Sequence, residues 1–265
     1  MYFHGNNIRT EFQIEKYISV FGLNKSPPVP EYILLVFNRD IYDFMKKISN
    51  TNEKCADLKL KRNFFDFTIQ DIKLRVFLTG DGAPIVAHTL EILINRGAKF
   101  IIGLGYTSSI NSKVLRIGDY FIPKNILRTD GLSRLYIKSS KPVFIDYYLL
   151  NYIFNCLNKK NNTVVGLGCS TDSYFRHSSK KISKYLSCGV LALDMESGAF
   201  MSVTNYYGIP SILVNIVSEE ISHQFWNINY PCARKKIALF YNELPNILSY
   251  INIKRSKFYE QKITV

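Results

Sequence analysis

Apolar positions along this chain fall into two alternating rhythms. Short runs rich in β-branched and aromatic residues, bounded by Gly, Pro, Asn or Asp, predict strands: YILLVF (Tyr32 to Phe37), KLRVFLTG, KFIIGLGY, DYFIPKNILR, NTVVGLGCS, VLALDM and PSILVNIVS. Between them DIYDFMKKIS, APIVAHTLEILINRG, DYYLLNYIFNCLNKK, SGAFMSVTNYYG and ARKKIALFYNELPNILSYI carry apolar residues at helical spacing. Gly97 and Gly208 stand where two of these helices give way to a strand, as left-handed caps do. The alternation predicts an α/β fold, a single domain with a central mixed β-sheet flanked by helices. Its expected limits are residues 31–252, after a loose N-terminal arm over 1–30 (NKSPPVP) and before a polar C-terminal tail over 253–265.

Composition narrows the setting. With 265 residues, 47% hydrophobic and 21% charged, the chain is an ordinary globular one. No apolar run approaches the roughly 20 residues that span a membrane, and the start, MYFHGNNIRTEF, lacks the features of a signal peptide, so a cytoplasmic protein is expected. Five scattered cysteines without a CxxC pair suggest buried free thiols, not a disulfide framework or a zinc site. The net charge of +13 is spread along the chain, with short clusters only at KLKR, SSKKISK and RKK. That reads as compositional bias, and nucleic acid is not expected as a partner.

Two features carry chemistry. LALDMESGAF places Asp194 and Glu196 inside a run that otherwise reads as core. A carboxylate there costs several kcal/mol (order of magnitude) unless something pairs with it. Either it reaches water at a strand end or it has a purpose. The second feature is a set of glycine- and hydroxyl-rich strand ends, LTGDGAP, GLGYTSSI and GLGCSTDSYF. Freed amides and hydroxyls at such ends hold anions, and ligands of open α/β sheets bind outside the carboxyl ends of the strands. A dinucleotide fingerprint is not met, since Gly103 and Gly105 are followed by Ser108 where the third Gly belongs.

In register over roughly residues 60 to 220, these stretches resemble the nucleoside phosphorylase family, in its uridine and hexameric purine nucleoside phosphorylase branch. GAPIVAHTLEILINRGAKFIIGLGYTSSINSKVLRIGDYFIPKNILRTDGLS matches the central segment of that branch, STDSYF its "SSDTFY" and LDMESGAF its "YEMESATL". The resemblance implies cleavage of the N-glycosidic bond of a purine or pyrimidine nucleoside by phosphate, a co-substrate, with no further cofactor. It implies that Glu196 accepts the 2' and 3' hydroxyls of ribose while Met195 packs on the sugar, and that Tyr174, beside Ser173, lies against the base. Thr107 and Ser108 join the substrate site, and Glu219 is the acid for the leaving base. Arg62, Arg39, Gly82 and Tyr106 fall around phosphate, Arg62 with a catalytic share. His4 and Arg62 match residues that complete a neighbour's site, which makes a homodimer the smallest working unit and a hexamer the family norm.

The departures are as informative. The family's phosphate turn after the first strand is replaced by VFNRDIYDF, so Arg39 serves only if the turn is shortened. Gly103 stands where a second phosphate arginine belongs, and Tyr106 where Thr or Ser belongs. Restoring an arginine at 103 is expected to tighten phosphate if a loop there can hold it. Two alternatives stay open: a nucleosidase of the same fold using water, activated by Asp40 or Asp43, and a nucleoside-binding descendant without the chemistry.

Overall fold

The computed structural model describes residues 7–20, 28–50, 55–57, 62–143, 145–222 and 225–260. In chain order the elements are α1 (Asn7–Val20), β1 (Tyr32–Val36), α2 (Arg39–Ile48), β2 (Cys55–Asp57), β3 (Arg62–Ile69), β4 (Ile72–Leu78), α3 (Ala83–Asn95), β5 (Phe100–Ser109) and β6 (Tyr120–Arg128). They continue with α4 (Ser133–Tyr136), α5 (Tyr147–Asn158), β7 (Thr163–Ser170), α6 (Ser179–Ser187), β8 (Val190–Asp194), α7 (Ser197–Tyr206), β9 (Ser211–Ile221), β10 (Trp226–Ile228) and α8 (Tyr230–Glu260).

The described strands form one mixed sheet in the order β10-β9-β6-β7-β8-β5-β1-β4-β3-β2, and β9 also pairs with β5. That extra pairing closes β5, β9, β6, β7 and β8 into a ring from which β1, β4, β3 and β2 extend. Strands β4, β1, β5 and β9 run parallel, so their carboxyl ends lie on one rim.

Strand β1 shows why the sheet is central. Tyr32, Leu34 and Val36 point to one apolar cluster and Ile33 and Leu35 to another, so both faces of the pleat are covered. One face is packed by Ile41 and Met45 of α2, Ile153 and Leu157 of α5, and Ile237 and Phe240 of α8. The other is packed by Val86 and Leu90 of α3 and by Phe200 and Val203 of α7.

Several elements go beyond the sequence pattern. Strand β3 doubles back on β4 through Gln70 and Asp71, both at positive φ (47° and 65°), as a two-residue hairpin requires. The stretch read as a loose arm holds α1, which packs on α3 with the Tyr17 ring edge-on to His88 at 5.6 Å. Ile14, Tyr17 and Ile18 already stand at helical spacing there. Helix α8 runs through Pro245 and past residue 253, where a polar tail was expected. An internal proline costs about 3 kcal/mol, but Ile237, Phe240, Leu244, Ile247, Leu248 and Ile251 along this helix are buried. At about 1.5–3 kcal/mol each, their burial outweighs it. Of the cysteines, Cys156 and Cys169 are buried, but Cys188 is exposed at the end of α6 and Cys232 is half-buried. No helix among the described residues is long and apolar enough to cross a membrane.

Candidate active site

Asp194 ends β8 and Glu196 precedes α7, and the structure gives these acids different work. Asp194 Oδ1 accepts the backbone N–H groups of Glu196 (3.2 Å) and Ser197 (2.9 Å); Oδ2 accepts the Ser197 hydroxyl and Asn215 Nδ2 (3.1 Å). It is fully engaged in holding the strand-to-helix turn. Burial pushes its carboxyl up to about 6 against these donors.

Glu196, 7% exposed, leaves that turn and reaches across the rim. Its Oε1 accepts the N–H of Gly82 at 2.6 Å and its Oε2 that of Met195 at 3.2 Å. Gly82 offers its N–H from a backbone at φ 100°, which L side chains rarely adopt, at the start of α3. Burial, then the Asp194 charge, push the Glu196 carboxyl up to about 8. Each of its oxygens has a second acceptor site beyond the backbone bond. Two adjacent hydroxyls could be accepted there, one on each oxygen.

A second carboxylate stands near the end of β9. Glu219, 6% exposed, accepts Ser108 Oγ (2.9 Å), Tyr174 OH (3.0 Å) and Trp226 Nε1 (2.8 Å) on Oε2, and Tyr230 OH (2.8 Å) on Oε1. Ser108 Oγ and Tyr174 OH also lie against each other; with one proton apiece, a bond between them is made only at the expense of one to Glu219. Burial and the neighbouring Glu219 push the Tyr174 phenol far above its ordinary range, so it stays a donor. Acting as an acid toward a base requires a proton on Glu219, and Oε1, with Tyr230 as its single donor above, keeps a site for it. Tyr174, Phe175 and Trp226 form an aromatic wall beside it, with ring centroids 5.8–6.1 Å apart and Phe175 82% exposed.

The third group lies where β1, β4 and β5 end. Asn38 donates to Asp81 Oδ1 (2.6 Å) and accepts the Tyr106 N–H (3.3 Å). The Tyr106 hydroxyl donates to Asp40 Oδ2 at 2.7 Å, and Arg234, from the first turn of α8, pairs with both Asp40 oxygens, Nε to Oδ2 at 3.1 Å. Tyr230 stands edge-on to Tyr106 at 5.2 Å, so this turn touches the Asp40 group and the Glu219 group alike. Through Asp81 and Gly82 the chain of contacts reaches Glu196.

The sequence candidates therefore divide. Gly82, Met195 and Glu196 come together, as do Ser108, Tyr174 and Glu219. The Thr107 hydroxyl is spent on the Leu193 carbonyl at 2.8 Å and braces β5 against β8. Ser173 is exposed, its N–H on Thr171 Oγ1 at 3.4 Å. Arg39 begins α2 with contacts along that helix, to Asp43 at 3.9 Å and over the Tyr42 ring at 5.7 Å. Arg62 lies in β3 opposite Asp57, with its side chain outside the described residues, and His4 lies outside them altogether.

The expectation of a loop at Gly103 needs correction. β5 continues as strand to Ser109, and Gly103 faces α7 between Leu35 and Leu213 in register. A Cβ at Gly103 would lie 2.7 Å from Leu213 Cδ1 and 2.9 Å from Phe200 Cε2. The glycine is required by close packing, and the position has no room for an arginine.

Asn38, Trp226, Tyr230 and Arg234 escaped the sequence reading. Trp226, the single tryptophan, sits two residues beyond a polar stretch, and Tyr230 and Arg234 head a helix whose apolar pattern begins after them. Arg234 stood only in the RKK charge cluster and Asn38 only in VFNRDIYDF, neither with a role of its own, and nothing in the local pattern marks Trp226 or Tyr230.

Comparison with known proteins supplies the wider frame. The model of the phosphorylase superfamily matches residues 39–238. A uridine phosphorylase of Thermococcus kodakarensis is 23% identical over 242 residues, covering 85% of this chain and 84% of that protein. A 5'-methylthioadenosine/S-adenosylhomocysteine nucleosidase of Buchnera aphidicola is 29% identical over 189 residues, 66% of this chain and 80% of that one. The crystal structure of a purine nucleoside phosphorylase from Toxoplasma gondii superposes with a TM-score of 0.71 at 16% identity, covering 86% of this chain and 93% of that chain.

Proposed function

Since this chain belongs to the phosphorylase superfamily, we propose that it is a nucleoside phosphorylase, cleaving the N-glycosidic bond of a nucleoside with phosphate to give the base and ribose 1-phosphate. The observation that carries the reading is Glu196, a buried carboxylate fixed by the Gly82 and Met195 amides with an acceptor site left on each oxygen. Held by it, the ribose stays in place as positive charge develops at its anomeric carbon, where a nearby carboxylate is most useful. Glu219 and the wall of Tyr174, Phe175 and Trp226 take the base; phosphate is the co-substrate, and no other cofactor is invoked. His4 and Arg62 complete the site of a neighbouring copy, so the working unit is at least a dimer. Light scattering paired with activity tests this: a fully active monomer contradicts it.

A second reading, hydrolysis, is favoured by one observation. Asp40, hydrogen-bonded to Tyr106, stands at the rim where the family pattern calls for cations. Asp43, the other candidate to activate water, is paired with Arg39 on the outside of α2. The deciding experiment is base release from a panel of purine and pyrimidine nucleosides with and without phosphate, with the sugar product identified. Ribose 1-phosphate formed only with phosphate supports phosphorolysis. Free ribose at an unchanged rate in phosphate-free buffer establishes hydrolysis instead.

A further inference from the structure

The cation count at the acceptor end changes once the chain is folded. Arg39 lies along α2 with the ion pair described above directed to Asp43 on the same helix, and Gly103 is sealed by Leu213 and Phe200. The fold nevertheless delivers a guanidinium to this place from an element almost 200 residues away in sequence, since Arg234 and Asp40 are separated by 194 positions. Arg234 arrives on the first turn of α8, which is anchored by Tyr230 on Glu219 and by Ala233 and Ile237 in the core.

We infer that Arg234 is the residue that binds the acceptor oxyanion in this site, and that Asp40 holds it in place as an intramolecular competitor until the anion arrives. The inference rests on the phosphorolysis reading above and names a ligand for it that the sequence pattern did not. Two observations support it. The pair is solvent-accessible, with Arg234 and Asp40 side chains 46% and 32% exposed, so an ion from solution can reach it. An exposed pair contributes little to stability, so the guanidinium exchanges partners at small cost. When it does, Asp40 keeps the Tyr106 hydroxyl as a donor at 2.7 Å and is not left bare. An arginine also suits the task, because its planar fork meets two oxygens of a phosphate as readily as two of a carboxylate. The competing carboxylate has a consequence: phosphate must displace Asp40, so it binds weakly, and the protein works only at high phosphate.

Steady-state kinetics on the full-length protein test this, with phosphate and nucleoside varied separately. R234Q is expected to raise KM for phosphate by about tenfold or more, the scale of one lost charge-assisted hydrogen bond, with KM for nucleoside within about twofold of wild type; R234K should fall between. D40N, which removes the competing charge but keeps an acceptor for Tyr106, should shift KM for phosphate the opposite way, several-fold lower. An unchanged phosphate KM in R234Q, or equal rises in both KM values, overturns the assignment while the phosphorolysis reading stands. Should R234Q not fold, the R234K and D40N shifts decide the matter, and a D40N phosphate KM at or above wild type overturns it. If wild type releases base equally without phosphate, the phosphorolysis reading fails. Calorimetry with inorganic phosphate alone then judges Arg234: binding weakened in R234Q or R234K supports it, while equal binding, or none to wild type, overturns it.

Discussion

At the end of the site proposed for ribose, Asp194, Met195, Glu196 and Ser197 are consecutive in the chain and bond to one another before reaching the Gly82 amide. At the other end, Asn38, Asp40, Tyr106 and Arg234 come from the turn after β1, the head of α2, the body of β5 and the head of α8, and no bonded pair is adjacent in sequence. The first is a local motif with its geometry written into one turn. The second exists only when four elements are in place. Local hydrogen bonds to backbone amides fix a side chain wherever that turn forms, whereas the acceptor group depends on how α8 lies across the rim.

The largest expected effect breaks the comparison at Gly103. Gly103→Arg should fail to give stable protein, since overpacking alone costs about 1–3 kcal/mol and an unpaired buried charge adds several more, as an order of magnitude. Soluble yield and thermal denaturation check this. A stable variant with tighter phosphate would place the position at the acceptor end after all.

Glu196→Gln tests the ribose end. Turnover should fall by about a hundredfold, about 2.7 kcal/mol in the barrier, with the fold intact. The same variant has a signature in stability. Glu196 titrates at about 8 in the folded protein against an ordinary 4.5, so the folded state holds its proton more tightly than the unfolded state. Wild-type stability must then fall as pH rises from about 4.5 through about 8. Asp194, raised from 3.8 to about 6, adds a fall in the lower part of that range. In Glu196→Gln the decline between about pH 6 and 8 should be largely gone, so the variant gains on wild type toward pH 9. Melting curves from pH 5 to 9 measure this, and parallel curves would refute it.

Smaller effects separate the base side from the acceptor side. Trp226→Phe and Tyr230→Phe each remove one neutral donor from Glu219, worth about 0.5–1.5 kcal/mol. Each should change kcat/KM for nucleoside by a few-fold to about tenfold, and Trp226→Phe, which does not touch the turn carrying Arg234, should leave KM for phosphate alone. A phosphate effect from Trp226→Phe would show that the two ends are not independent. The smallest signal is a proton. At pH 7 Glu196 is mostly protonated in the empty site, and two donating hydroxyls favour its ionised form. Nucleoside binding should therefore release up to about one proton. Calorimetry in two buffers of different ionisation enthalpy reads this directly, and identical heats would contradict it.

Much of this molecule is legible before folding. Strands β1 and β4 to β9 are announced by their apolar runs, and Glu196 by the cost of an acid in a core sequence. The α/β class follows from alternation, and the family from motifs in register. These features are short-range, set by backbone hydrogen bonding and by side-chain periods of 2 and 3.6. What escaped is of another kind. Gly103 read as part of a strand end open enough for an anion or an arginine, yet it lies well inside β5 against Leu213 and Phe200, because only the pairing of β5 with β9 and the packing of α7 bring those side chains there. Arg39, adjacent to the site in sequence, turned to a partner one helical turn away, while Arg234, remote in sequence, arrived by way of α8. The amino-acid sequence alone determined β1, β4 to β9, the α/β class and the turn that carries Glu196; tertiary structure decided which charges meet, because the distance between two side chains on different elements depends on the packing of everything between them.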